Sequence, residues 1–141
     1  MFSRSSGYAI QALIYLAEQP PGQLTGAREI AAAAQIPIPF LWKILRNLSH
    51  KRLLRSFKGV RGGYELAQPP GKITIAQVLN ATQGSDLVDG CILLSAPCDE
   101  RNPCPLHGFW KDSKKQLERF VQRTTLADVA RNAASPRPKR G

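Results

Sequence analysis

The sequence predicts a mainly α-helical fold that contains one small β-hairpin, followed by a long helix near the C-terminus. Apolar residues recur at intervals of three and four along most of the chain, which is typical of amphipathic helices. Residues 53–67 differ, because two short apolar runs flank a glycine-containing turn there, as in a hairpin. With 141 residues, 43% of them hydrophobic, the chain can build one compact core and an extended arm.

Three short helices are predicted before the hairpin. Helical spacing of apolar residues extends from Ser5 to Glu18, and the stretch EQPPGQLTG then ends it. Thr25 or Gly26 can begin a second helix through AREIAAAAQ. The third helix is expected to begin near Pro39, because proline is suited to the first helical position.

The third helix has one apolar face and one face that is basic and aromatic. The predicted buried stripe follows the i, i+3, i+4, i+7 spacing of a packed helix and consists of Leu41, Ile44, Leu45 and Leu48. The residues left to face outward are Trp42, Lys43, Arg46, Asn47 and His50.

The hairpin is expected to join LLRSF to YELA through KGVRGG, whose glycines allow the chain to reverse. Its tip carries Lys58 and Arg61. After the turn QPPGK, Thr74 and Gln77 have the spacing of a capping box, so a fourth helix is predicted to extend to a stop at Gly84.

A longer helix is predicted in GFWKDSKKQLERFVQR. It is polar except for a narrow stripe that is compatible with packing on a partner helix, formed by Trp110, Leu117, Phe120 and Val121. Thr125 and Asp128 can cap a last short helix, LADVARNA. The tail SPRPKRG has prolines and no apolar residues, so a disordered basic arm is expected.

The net charge of +10 indicates an acidic partner. Three short helices followed by a basic hairpin are the elements of a winged helix-turn-helix, whose third helix enters the major groove of DNA. DNA binding is therefore favoured over binding of RNA or another polyanion, and over an uninvolved basic surface. The residues expected to contact DNA are Arg28, Trp42, Lys43, Arg46, Asn47, Lys58 and Arg61.

The sequence has no run of 18 apolar residues, and its start lacks the features of an export signal, so a soluble, cytoplasmic protein is expected. Its three cysteines should then stay reduced and serve metal binding, redox chemistry or packing. No phosphate loop, paired carboxylates or nucleophile with a neighbouring base is found, so an enzyme is not expected.

All three cysteines lie in one stretch, together with a histidine: Cys91, Cys98, Cys104 and His107. Structural zinc sites usually take their ligands in closer pairs, whereas thiolates are soft donors that suit iron-sulfur clusters. The set favours cluster ligation. The alternatives are a thiol redox site, no ligand role, and a zinc site that would make the chain a zinc-stapled DNA-binding module without sensing.

Taken together, these pieces resemble the IscR/NsrR/RirA-type iron-sulfur transcription regulators, the Rrf-type winged helix-turn-helix proteins of bacteria. The resemblance covers nearly the whole chain and rests on GYAIQALIYLA, AREIA, PFLWKILRNLSHKRLLRSFKGVRGGYELA, ITIAQVLNATQG and the cysteine loop with PLHGFW. It implies a homodimer joined by the long helix, a roughly palindromic operator, and operator binding controlled by an iron-sulfur cluster. The signals it implies are iron, cluster status, redox state or nitric oxide.

The resemblance also assigns the ligands: Cys91, Cys98 and Cys104 fall on the three thiolate positions. His107 falls where the IscR branch has a histidine ligand, so a 2Fe-2S cluster is favoured and a 4Fe-4S cluster is the alternative. The gap between the first two cysteines is six residues where five is expected.

Two residues depart from the family pattern outside the cysteine stretch. Gly7 replaces an acidic residue that NsrR-like members often use as a ligand. Trp42 replaces an acidic residue that helps IscR to choose between classes of DNA site, so a different site preference is expected.

The expected organisation has four parts. Residues 1–84 form the winged helix-turn-helix, 85–108 the cysteine-rich loop, 109–133 the dimerisation helix with the short terminal helix, and 134–141 the disordered basic tail.

Overall fold

A computed structural model describes residues 3–83, residue 101 and residues 105–133. In these ranges three α-helices, a two-stranded sheet, a short 3-10 helix (Pro70–Lys72) and three further α-helices follow one another. The first three helices are α1 (Arg4–Ala17), α2 (Ala27–Ala34) and α3 (Ile38–His50). Gln35 ends α2 in the left-handed conformation, at φ 55°, and so turns the chain sharply toward α3. The three predicted helices are confirmed.

The core of this unit is built on the apolar face of α3. Leu41, Ile44, Leu45 and Leu48 are all buried, as their spacing predicts. They belong to one hydrophobic cluster with side chains of α1 and of the fourth helix. Because burying one leucine contributes about 1.5–3 kcal/mol, these four residues hold α3 firmly in place.

The predicted hairpin is also confirmed. Strands β1 (Leu54–Phe57) and β2 (Gly63–Leu66) pair antiparallel, with Ser56 opposite Tyr64. Gly62 is required in the connecting turn, because a Cβ atom at this position would lie 2.1 Å from the carbonyl oxygen of Phe57. We call residues 54–66 the wing.

A β-bridge attaches the wing to the loop that precedes α2. Thr25 N–H donates to Tyr64 O at 3.0 Å, and Tyr64 N–H donates to Thr25 O at 2.8 Å. Gly63 makes this close approach feasible, since a Cβ atom there would lie 2.9 Å from the Thr25 carbonyl carbon and oxygen. The wing is therefore fixed relative to the helix-turn-helix.

The fourth helix, α4 (Ile75–Thr82), begins with the predicted capping box. Gln77 N–H donates to Thr74 Oγ1 at 3.2 Å, and Thr74 N–H donates to Gln77 Oε1 at 2.9 Å. The residue at the C-terminal cap is Gln83, while the predicted stop at Gly84 lies outside the described residues.

The last two helices are α5 (His107–Arg123) and α6 (Leu126–Ala133). Thr125 and Asp128 form the predicted capping interaction, in which Thr125 N–H donates to Asp128 Oδ2 at 3.0 Å and Asp128 N–H donates to Thr125 Oγ1 at 3.2 Å. Val121 and Leu126 lie in the same hydrophobic cluster as α1 and α3.

The apolar stripe predicted on α5 as a partner-facing surface is only partly exposed. Trp110 and Val121 are buried, and Leu117 packs against the hydrophobic cluster of its own chain. Phe120 remains 57% exposed, and Phe109, which was not expected on a partner surface, is 79% exposed. The prediction was wrong for Trp110 and Val121, because helical spacing does not distinguish the chain's own core from a partner.

Among the residues that the structure describes, no helix is long and apolar enough to cross a membrane. The cysteines and residues 134–141 lie outside them, so the predicted cysteine loop and disordered tail stay predictions, as does the division of the chain at residues 84, 108 and 133.

Candidate nucleic-acid interface

A groove of about 730 Å³ lies between the outer face of α3 and the wing. Residues of both elements line it: Trp42, Arg46, Ser49, His50, Ser56, Lys58 and Tyr64. Ser56 and Tyr64 are opposite each other in the sheet, and paired residues of neighbouring strands point to the same face. The hairpin register therefore turns one strand face toward α3.

The groove is cationic, because Arg46 and Lys58 contribute to its lining and no acidic residue of the described ranges does. The neighbouring carboxylate, Glu65, pairs with Arg55 at 3.9 Å. Side chains alternate along a strand, so this ion pair lies on the wing face that points away from Tyr64. Glu65, the only acidic residue of the wing, therefore lies outside the groove.

Three of the seven residues predicted to contact DNA line the groove together: Trp42, Arg46 and Lys58. The other four do not line it. Arg28 is exposed near the start of α2, Lys43 is exposed and Asn47 half-buried on α3, and Arg61 is exposed in the turn of the wing. Lys43, Arg46, Lys58 and Arg61 form no ion pair within the described part of the chain.

Sequence reasoning missed Ser56, Tyr64 and Ser49 as lining residues, and left His50 unassigned to a site. A signal for the first two was available in the alternation of side chains along each strand, once the pairing of β1 with β2 is known. Trp42 is 51% exposed, so a flat aromatic surface remains accessible beside the cations.

The turn of the wing holds its cations on a constrained backbone. Gly59 has φ +102°, a conformation that side chains rarely adopt, and Gly62 has no room for a Cβ atom. Val60, between Lys58 and Arg61, is fully exposed. The turn therefore presents both cations to solvent.

Of the four predicted metal ligands, the structure describes only the backbone of His107. Cys91, Cys98 and Cys104 lie outside the described residues. His107 is the first residue of α5, and only its backbone is described. Within the described ranges, no group of three or more His, Cys, Asp or Glu residues could hold a metal ion. A site formed by these four residues stays a prediction.

The helix-turn-helix, the attached wing and the basic groove between them define a winged-helix DNA-binding protein. The chain belongs to the Rrf2 family, described as iron-dependent transcriptional regulators, whose family model matches residues 2–132. This is a family of transcription regulators and not of enzymes. The predicted fold class and family are thereby confirmed.

Known relatives agree with this assignment. A protein of Aquifex aeolicus (strain VF5) with the name of an HTH-type transcriptional regulator is 37% identical over 131 residues, covering 92% of this chain and 90% of the relative. CymR, named the global cysteine regulator of B. subtilis, has the same fold with a TM-score of 0.78 and 22% identity, covering 94% of this chain and 97% of CymR. T. potens IscR gives a TM-score of 0.75 and 24% identity, covering 100% of this chain and 93% of IscR.

Proposed function

We propose that the groove between α3 and the wing is the surface that binds operator DNA. The observation that carries this proposal is the joint lining of one groove by Arg46 of α3 and Lys58 of the wing. A helix in the major groove with a wing on the adjacent backbone is the docking geometry of this fold class. The residues proposed to contact DNA are Arg28, Trp42, Lys43, Arg46, Asn47, Lys58 and Arg61.

The proposed contacts divide by chemistry. Arginine can bond a guanine edge through two N–H groups, and asparagine can do the same to adenine, so Arg46 and Asn47 are the candidates for reading sequence. Lys58 and Arg61 are suited to phosphates or to the negative potential of a narrow minor groove. Specificity is thus assigned to α3 and general affinity to the wing.

Substitution of Arg46 tests the assignment. Arg46→Ala should weaken binding to a selected operator by about 5- to 150-fold, the equivalent of about 1–3 kcal/mol for a lost base contact, and affect random DNA much less. Lys72→Ala, which removes an exposed lysine outside the groove, is the control and should bind both DNAs as the wild type does. Equal losses on operator and random DNA would assign Arg46 to phosphate contact instead.

We further propose that an iron-sulfur cluster controls operator binding. The donor set Cys91, Cys98, Cys104 and His107 has the soft thiolate character that such clusters require, and the family is described as iron-dependent. These residues would hold the cluster, a 2Fe-2S form being favoured over 4Fe-4S. A bound cluster would supply a centre sensitive to iron supply, cluster status, redox state or nitric oxide. Because His107 begins α5, a ligand there is continuous in sequence with that helix.

Metal and sulfide content decides between this proposal and the zinc-stapled alternative. Protein purified without oxygen should be brown and contain iron with equimolar acid-labile sulfide. The triple variant Cys91→Ala/Cys98→Ala/Cys104→Ala should be colourless, and His107→Ala should shift the spectrum. Colourless wild-type protein with stoichiometric zinc and no sulfide would contradict the proposal.

We also propose that the chain acts in the cytoplasm as a homodimer that binds a roughly palindromic operator. The support is a set of exposed apolar side chains along one face of α5, from its N-cap to its last turn: Leu106, Phe109 and Phe120, which are 41%, 79% and 57% exposed. Separations of three and eleven residues place these side chains within one stripe of a helix. A second copy of the same stripe is the occupant that symmetry favours.

A further inference from the structure

Ser6, near the start of α1, is a polar residue with no exposed surface. Its hydroxyl oxygen lies 2.6 Å from Gln83 Oε1 and 2.6 Å from Thr82 Oγ1. Ser6 donates its one proton to Gln83 Oε1. The Thr82 hydroxyl also lies 2.9 Å from Val78 O, so Val78 O and Ser6 Oγ share its single proton as acceptors. Ser6 therefore joins the first turn of α1 to the end of α4.

Gln83 is held by both its backbone and its side chain. Its backbone N–H donates to Leu79 O at 2.8 Å, and its side-chain oxygen accepts from Ser3 N–H at 2.8 Å as well as from Ser6. In the sequence, Gln83 is the last described residue before the stretch that contains Cys91, Cys98 and Cys104. A displacement of the chain after Gln83 would thus act directly on the N-terminus of α1.

Helix α1 in turn contacts the DNA-binding elements. It packs against α2 and α3, and the hydroxyl of Tyr15 donates to Glu29 of α2 at 2.8 Å. A 14-residue helix is about 21 Å long and, inside a close-packed core, moves as a unit. A shift at its first turn would therefore act on α3, which lines the groove together with the wing.

We propose that Ser6 is a positioning residue that couples the state of the cysteine segment to operator affinity, through its hydrogen bond with Gln83. This inference rests on the proposed function, in which the segment that contains Cys91, Cys98 and Cys104 binds the group that controls operator affinity. The coupling between the two sites would then depend on one buried hydroxyl at the junction of α1 and α4.

Ser6→Ala tests the coupling without removing the cap of α1. Ser3 caps this helix by accepting from the backbone N–H of residue 6, which alanine retains. Gln83→Met, which keeps the length of the side chain and removes its carbonyl oxygen, is the second variant. Thr74→Ala is the matched control, because it removes a hydroxyl from the other end of α4 and with it the capping box.

Each full-length protein is compared in its iron-loaded and chelator-treated forms. Operator affinity is measured at one salt concentration, iron and sulfide content are determined, and amide hydrogen exchange is followed at the first turn of α1. In Ser6→Ala and Gln83→Met, the ratio of the two affinities should move toward one by at least about fivefold, the lower end of usual allosteric couplings. In these variants, amide exchange at the first turn of α1 should be the same in the iron-loaded and the chelator-treated protein. Their iron and sulfide content should stay at the wild-type level.

The possible results separate this inference from the function on which it rests. If iron-loaded and chelator-treated wild-type protein bind the operator equally, both the proposed control by the cysteine segment and this inference are contradicted. If the two forms differ in affinity and the difference is as large in Ser6→Ala and Gln83→Met as in the wild type, only this inference is overturned. The same loss of coupling in Thr74→Ala would also overturn it, because the effect would then be a general consequence of destabilising α4.

Discussion

The backbone of Tyr64 in β2 is paired with the backbone of Thr25, in the loop before α2, through hydrogen bonds of 3.0 and 2.8 Å. Tyr64 also lines the groove opposite α3. The same residue therefore fixes the wing to the helix-turn-helix and forms part of the proposed DNA-binding surface, so the width of the groove depends on this bridge.

Gly63→Ala should break the Thr25–Tyr64 bridge, because the added Cβ atom would lie 2.9 Å from the Thr25 carbonyl group. A steric clash of this kind costs about 1–3 kcal/mol in stability. Thermal unfolding should detect that loss, and operator affinity should fall by at least about tenfold, the equivalent of about 1.4 kcal/mol.

Gly71→Ala is the control for that substitution, since a Cβ atom at Gly71 would meet nothing within 4 Å. Its stability and operator affinity should match those of the wild type. If Gly63→Ala also binds the operator normally, the bridge does not determine the geometry of the groove.

The cations of the wing turn should contribute to affinity through counterion release. Replacing Lys58 and Arg61 together by alanine should reduce the slope of log affinity against log salt by about 1.8, since each phosphate contact contributes about 0.9. The slope is obtained from operator titrations at several salt concentrations. An unchanged slope would show that the turn does not contact phosphate, and Lys72→Ala should leave the slope as it is in the wild type.

Much of the fold could be predicted because the deciding interactions are local. The period of Leu41, Ile44, Leu45 and Leu48 defines a buried helix face, and the spacing of Thr74 and Gln77 defines a helix start. Each signal lies within about two helical turns of sequence. The wing could also be predicted, since its glycine-rich turn separates two short runs of strand-forming residues.

The features that escaped prediction depend on contacts between distant parts of the chain. Ser6 and Gln83 are 77 residues apart in sequence, and no local pattern pairs them. The same reason explains the error on α5, where Trp110 and Val121 turned out to be buried in their own chain. The groove was predicted as a basic helix and a basic turn, but their common surface required the three-dimensional arrangement.

Asp128 should make stability depend on acid pH. The Thr125 backbone N–H, and after it the Thr125 side chain, hold the pKa of this carboxyl below its usual value. A lowered folded-state pKa gives stabilisation that is present above the unfolded-state pKa and is lost as the pH falls through the folded-state pKa. Asp128→Asn should therefore lower Tm at pH 7 and reduce the fall of Tm between about pH 5 and pH 3.

Thermal unfolding over this pH range measures both effects. Thr125→Ala removes the hydroxyl partner of the same capping interaction and should lower Tm at neutral pH in the same direction. An Asp128→Asn profile parallel to that of the wild type at every pH would contradict the assigned role of the carboxylate.

The exposed phenylalanines of α5 should hold the proposed dimer together. Phe109→Ser/Phe120→Ser removes two side chains that are 79% and 57% exposed, so the monomer fold should persist while the dimer dissociates. Sedimentation equilibrium should then give the mass of one chain for the variant and of two chains for the wild type. Phe57→Ser on the wing, at a residue 47% exposed, is the control and should remain dimeric. If Phe109→Ser/Phe120→Ser is still a dimer, the interface is not formed by these phenylalanines.

The most direct test of the account is operator affinity measured at one salt concentration for the iron-loaded protein, the chelator-treated protein and the Cys91→Ala/Cys98→Ala/Cys104→Ala variant. The account predicts that iron-loaded protein differs from the other two by at least about fivefold, and that those two agree with each other. Equal operator affinity for all three would contradict control of this regulator by its cysteine segment.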